Sequence, residues 1–282
     1  MRFHPLMLFV KLYHGPTHAI DIIENGQDPR DWPMEPMLNA GPVEVPAAAF
    51  GESVCGRLIE AIRRHDLPLV RALAPKGAKG EFRGQTPLVA AVRERDADIV
   101  SAILPHCDPR RATKYGHTAL MFAALQETRC IVDLLIPVSD VDATNTRGET
   151  ALMFAAEYGY MPCIEALAAV ADHGKANFMG SNALMKAICP ATWAHHSFWA
   201  LENVVDALWP HYDLNAQDSD GWTALMMCTQ VSAWGVFDLL ARMSDPDVQN
   251  NEGNTAIDLV YERDCERGER VEAGGSAEDP DY

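Results

Sequence analysis

Long apolar runs are missing from this 282-residue chain. No stretch approaches the ~18 residues that a membrane-crossing helix needs. The first apolar run, Leu6–Val10, is cut off by Lys11, too short for a secretory leader. Paired cysteines are missing too. Seven cysteines are an odd number, and none has CxxC spacing, so neither a disulfide framework nor a zinc site is expected. Cys130, Cys163 and Cys228 read instead as small buried thiols in a reducing, cytoplasmic setting. Basic residues are scarce, 23 Lys and Arg against 40 Asp and Glu, for a net charge of −17. That balance argues against nucleic-acid binding, whose affinity rests on cations meeting phosphates. Nucleophile-elbow, HExxH and phosphate-loop motifs do not occur, so the expectation is a non-enzymatic protein with no cofactor and no bound metal. The loop Gly77–Gly84 is glycine-rich and basic but lacks the spacing of a phosphate cradle.

What the chain does have is an internal repeat. GETALMFAA stands at Gly148–Ala156, GHTALMFAA at Gly116–Ala124 and GWTALMMC at Gly221–Cys228. Looser copies begin at Gly84, Gly180 and Gly253, giving start-to-start spacings of 32, 32, 32, 41 and 32 residues. Each letter has a physical reason. Gly148 suits a turn with positive φ, which a Cβ would oppose. Thr150 suits a helix N-cap, its hydroxyl accepting from an orphan amide of the first turn. Leu152 suits a buried position, and Ala155 and Ala156 let neighbouring helices close in. A turn at Gly159 and a second apolar run, Cys163–Leu167, complete a two-helix unit that cannot bury its own apolar face. Pro105 and Pro137 are expected to stop the second helices of their units.

This period and signature resemble the ankyrin repeat. The resemblance implies an all-α solenoid of stacked helix-turn-helix units joined by hairpin loops, about six to seven units with caps, over residues 52–267. Val54–Arg83 would be a divergent N-terminal cap and Gly253–Arg267 a C-terminal one. Segment VSDVDATNTRG (Val138–Gly148) is similar to the family's hairpin loop. Residues 1–51 hold seven prolines and read as an irregular arm with a short helix at His18–Glu24, and residues 268–282 as a disordered acidic tail. The unit from Gly180 carries nine extra residues around Trp193–Trp199, which lengthen its inter-helix turn and form either a packed cover or a contact patch. Cys189, His195 and His196 lack a fourth ligand for a metal.

The resemblance also implies function: a protein–protein interaction module, an adaptor or scaffold, that binds through hairpin tips and the exposed side of the first helices. The positions it points to are Tyr115, His117, Arg147, Glu149, Tyr158, Phe178, Met179, Asp220 and Trp222. Tyr115, Tyr158, Phe178, Met179 and Trp222 would form an apolar spine of the kind enriched in interface cores. Charge is uneven along the chain. Arg57–Lys114 carries 12 basic and 7 acidic residues, whereas Tyr115–Tyr282 carries 8 and 26. An acidic half of that size favours a basic partner. The expectation is a monomer with a protein partner, and with neither nucleic acid nor membrane. Two other readings stay open: a specific inhibitor or immunity-type protein that occludes a basic enzyme, and an enzyme with its site hidden in the N-terminal arm.

Overall fold

The structure, a computed structural model, describes residues 53–82, 84–188, 198–231 and 233–263, and only the backbone of 198–200. All lie in the unit that runs from Glu52 onward. The expected N-terminal arm, the Trp193–Trp199 turn with its side chains, and the acidic tail lie outside the described residues.

Helices come in pairs. They are α1 (Val54–Arg63) and α2 (Leu67–Gly77), α3 (Pro87–Arg93) and α4 (Ala97–Ile103), α5 (Ala119–Leu125) and α6 (Arg129–Leu135). Next are α7 (Ala151–Glu157) and α8 (Met161–Ala168), α9 (Ala183–Ile188) and α10 (Phe198–Leu208), α11 (Ala224–Val231) and α12 (Trp234–Ala241). A final helix, α13, spans 256–263. From α1 to α11 each first helix packs on the next first helix, and from α2 to α12 each second helix packs on the next second helix. The result is two parallel layers of helices, the expected all-α repeat solenoid.

Most of these helices are only two turns long, too short to be stable by themselves. Their starts are fixed locally. The hydroxyls of Thr86, Thr118 and Thr150 accept from the amides of Val89, Met121 and Met153. Asn182 and Thr223 do the same for Met185 and Met226. Thr255 and Asp258 bond each other's amides in a reciprocal box at the start of α13; each such cap is worth ~1 kcal/mol. The layers then bury what the helices cannot bury alone. Leu120, Leu152, Leu184 and Leu225 are all buried, and so are the alanine pairs Ala90–Ala91, Ala123–Ala124 and Ala155–Ala156, which let the first-helix row close up. Pro105 and Pro137 sit in short 3-10 turns, Leu104–His106 and Ile136–Val138, that end the second helices, as their missing amides require.

In four of the helix pairs the chain turns from first to second helix through a left-handed residue. In the α7–α8 pair this is Gly159, at φ 68°, but in the three preceding pairs it is His65, Arg95 and Glu127, at φ 54°, 59° and 58°. The thiols depart from expectation in one case. Cys163 and Cys228 are buried but Cys130 is exposed, because α6 turns Ile131, Val132 and Leu135 inward instead. Burial pushes the Cys163 thiol up to about 11, so it stays protonated and inert at neutral pH.

Candidate functional site

Each first helix from α5 to α13 is entered through a five-residue clasp: 113–117, 145–149, 177–181, 218–222 and 250–254. In every clasp the first residue's amide donates to the carbonyl four positions on, at 2.9–3.0 Å, and the glycine amide donates back to the first residue's carbonyl, at 2.8–3.0 Å. The glycine sits at φ 76–87°, a region that costs other residues ~1–2 kcal/mol. At Gly116 and Gly148 space is limiting as well, since a Cβ would come within 2.9 Å of the backbone of the next clasp. Four clasps gain a side-chain lock. The Oδ1 atoms of Asn145, Asn177, Asp218 and Asn250 each accept two amides of their own turn, at 2.8–3.0 Å. Burial raises the carboxyl of Asp218 above its ordinary value even though it accepts from the Trp222 and Asp220 amides. These locking residues were not singled out in the sequence, although an Asn or Asp three places before each glycine is its signal.

Two residues are left at the crown of each clasp: Lys114–Tyr115, Thr146–Arg147, Phe178–Met179, Ser219–Asp220 and Asn251–Glu252. The crowns are tied in order. Thr146 N–H donates to the Tyr115 carbonyl (3.1 Å), Phe178 to Arg147 (3.0 Å), Ser219 to Met179 (2.7 Å) and Asn251 to Asp220 (3.1 Å). Five crowns therefore form one continuous hydrogen-bonded ridge. Phe178 stands at its middle, 76% exposed, with its ring edge over Gly148.

The ridge gathers Tyr115, Arg147, Phe178, Met179 and Asp220 of the expected positions. Arg147 and Asp220 are exposed, whereas Tyr115, Met179 and Trp222 are half-buried. Tyr115 lies under the Lys114 ammonium, 4.7 Å from the ring centre. Tyr158 does not join the ridge. It closes the far end of α7, half-buried and stacked on Tyr160 with ring centres 5.9 Å apart. Burial first, then the neighbouring Glu157 carboxylate, pushes its phenol up.

His117 and Glu149, expected to be exposed beside the threonine caps, are instead buried. The reason is a charged cluster under the ridge. Lys186 is 3% exposed, and its Nζ lies 3.0 Å from Glu157 Oε2 and 3.3 Å from Glu149 Oε1. Arg147 meets Glu149 Oε2 at 3.0 Å, and Asn145 Nδ2 donates to the same oxygen at 2.9 Å. Burial by itself would raise the Glu149 carboxyl, but Lys186, Arg147 and these hydrogen bonds outweigh it and hold it below its ordinary value. His117 rests against Phe122 and Phe154, ring centres 5.7 and 5.8 Å away. Its Nε2 lies 3.3 Å from Asn145 Nδ2, and its Nδ1 has no hydrogen-bond partner among the described residues. Burial and the Arg147 charge depress its basicity, so it is a neutral ring in a packed wall. Lys186 occupies the helix register where neighbouring units carry Phe122, Phe154 and Met227. A charged residue at an apolar register was the sequence signal for this cluster. Among the described residues no cluster of metal-ligating side chains occurs, and no helix is long and apolar enough to cross a membrane.

Comparison with known proteins agrees with this geometry. The family profile described as ankyrin repeats (3 copies) matches residues 58–145 and 120–197. Among solved structures, the ankyrin repeat domain of Bcl-3, described as a unique member of the IkappaB protein family, is similar with a TM-score of 0.62. Identity is 22%, over 72% of this chain and 92% of that one. EF0377, an ankyrin repeat protein, is similar with a TM-score of 0.60 and 21% identity, over 68% of this chain and 98% of that one. At such identities the likeness shows the fold alone. No curated protein matches the sequence. Ankyrin repeats generally mediate protein–protein interaction, and with its periodic TAL starts, glycine clasps and two helical layers this chain belongs to the ankyrin repeat family.

Proposed function

We propose that the chain is a non-enzymatic adaptor or scaffold that holds a protein partner along the crown ridge and the adjoining side of the first helices. The observation that carries this reading is the ridge itself. Backbone hydrogen bonds fix its five crowns in register, so contact residues are pre-organised and little ordering entropy is lost on binding. Phe178, 76% exposed, is the kind of rigid aromatic that anchors interfaces. The module works as a monomer, without cofactor, nucleic acid or membrane. A partner with basic surface suits the acidic half, through faster encounter more than through tighter holding.

A second reading, an inhibitor that occludes a basic enzyme, draws on the same acidic excess and differs in outcome. The test is capture from native cells with the full chain as bait, followed by surface plasmon resonance with the purified captured protein. Phe178→Ala and Trp222→Ala are expected to weaken binding at least tenfold while circular dichroism stays unchanged. Normal binding by both folded variants would sink the ridge as the contact surface. One-to-one capture of an enzyme that loses its activity would favour the inhibitor.

A further inference from the structure

The two crowns on the α13 side of Phe178 carry exposed carboxylates at the same place, Asp220 on one and Glu252 on the next. Neither forms an ion pair with a described residue. Their spacing is fixed. Besides the backbone bond from Asn251 to Asp220, Asn251 Nδ2 donates to the Ser219 carbonyl at 2.9 Å. Gln217 Nε2 bridges the Gly221 and Gln249 carbonyls at 2.7 and 2.8 Å. Stacked helices stand ~8–10 Å apart, so the two carboxylates repeat at about that pitch. The first charge is felt by its neighbour: burial, and after it Asp220, raises the Asp218 carboxyl. On the other flank of Phe178 stands Arg147, exposed although it meets Glu149 at 3.0 Å. From Phe178 toward α13 the ridge therefore presents a bare ring, 76% exposed, and then two carboxylates one unit apart.

From this order, and resting on the protein-binding reading above, we infer that the ridge binds a protein segment in the polyproline II conformation. A bulky apolar residue of the segment covers Phe178, and two cationic residues, spaced i and i+3, meet Asp220 and Glu252. The conformation follows from the pitch. A polyproline II chain has three residues per turn and rises ~3.1 Å per residue, so side chains at i and i+3 share one face ~9 Å apart. In a β-strand the side chains on one face are ~6.6 Å apart at i and i+2, or ~13 Å at i and i+4, and neither matches. A polyproline II chain is also stiff before it binds, which suits a ridge already held in register by backbone bonds. Arg147 sets the order, because like charge on its side of Phe178 sends the cations toward α13. The ridge then reads the spacing of the cations as well as their sign, which a diffuse acidic surface does not.

The experiment uses the full chain and fluorescein-labelled, proline-rich synthetic peptides of one composition, read by fluorescence anisotropy at low salt. Each carries a tryptophan followed by two arginines. The arginines are spaced i and i+3 in one peptide, i and i+2 in a second, and i and i+4 in a third. The i, i+3 peptide is expected to bind at least tenfold tighter than either of the others. Asp220→Ser and Glu252→Gln should each erase that preference, and Phe178→Ser should weaken every peptide at least tenfold. Thermal melts check that all three variants remain folded. Equal binding of the three peptides, or preference for another spacing, overturns the polyproline II register. An unchanged preference in both carboxylate variants overturns Asp220 and Glu252 as its readers. Absence of binding by all three peptides overturns recognition of such a segment. In each of these cases the capture experiment above decides separately whether the chain binds a protein, so the two failures are distinguishable.

Discussion

At the scale of single residues, the least expected feature is a lysine in an apolar row. Lys186 stands between the buried carboxylates of Glu149 and Glu157. Buried ion pairs seldom add net stability, but breaking one leaves an uncompensated charge in a poorly solvated site. Lys186→Met is therefore expected to destabilise the protein by ~3–5 kcal/mol, read from urea midpoints. Adding Glu157→Met should recover part of that loss, since Glu149 keeps Arg147 and Asn145. If the double variant were less stable than the single one, the cluster would not be acting as a charge-compensated unit. The same neighbourhood sets an acid limit. His117 is depressed from 6.5 and Glu149 from 4.5. A depressed group binds fewer protons folded than unfolded, so its contribution is present above the unfolded value and fades as pH falls. Stability should begin to drop below about pH 6.5 and more steeply below about 4.5. Denaturant melts across pH should show His117→Phe flattening the first part and Glu149→Gln the second. An unchanged profile in both variants would assign the acid loss elsewhere.

At the scale of elements, the inter-helix turns show where local sequence and backbone geometry disagree. Gly159 accepts its left-handed conformation without strain, whereas His65, Arg95 and Glu127 hold it against the usual steric cost of ~1–2 kcal/mol. Two of the three are tied across units: His65 Nδ1 lies 3.0 Å from Asp96 Oδ2, and Arg95 donates to the Gln126 carbonyl. Glu127 is exposed, so Glu127→Gly should stabilise the protein by ~0.5–1 kcal/mol, the relief of strain less the extra freedom of unfolded glycine. Arg95→Gly should gain less, because it gives up the cross-unit bond. Equal gains in thermal or urea melts would show that bond to be worth nothing. What was legible in the sequence was what is local. The threonine caps, the clasp glycines and the leucine and alanine rows are written within a few residues of where they act. Burial of Glu149 was not legible, because its cation, Lys186, comes 37 residues later and only stacking brings them together. Exposure of His117 was expected from its place beside a cap. Phe122 and Phe154, from two different first helices, enclose it instead.

At the scale of the whole array, the main packing of each described helix pair is on the pairs next to it, so stability is close to a sum of unit and interface terms. Interior units have interfaces on both sides, and the clasp bonds add a continuous tie along one edge. The C-terminal end is different. Among the described residues α13 has no second-layer helix paired with it, and Ile257 and Tyr261, one turn apart, are 48% and 68% exposed. The free energy of local opening should therefore fall from the middle of the array toward α13. Native-state hydrogen exchange is expected to show the amides of α5 and α7 exchanging last and those of α13 first among the helices. A gradient of this kind would leave the central crowns, Thr146–Arg147 and Phe178–Met179, on the most rigid part of the ridge. The anionic crown at Asn251–Glu252 would stand on the most mobile part. Uniform protection from α3 to α13 would mean that the array opens as one cooperative block, and that its anionic end is held as firmly as its apolar centre.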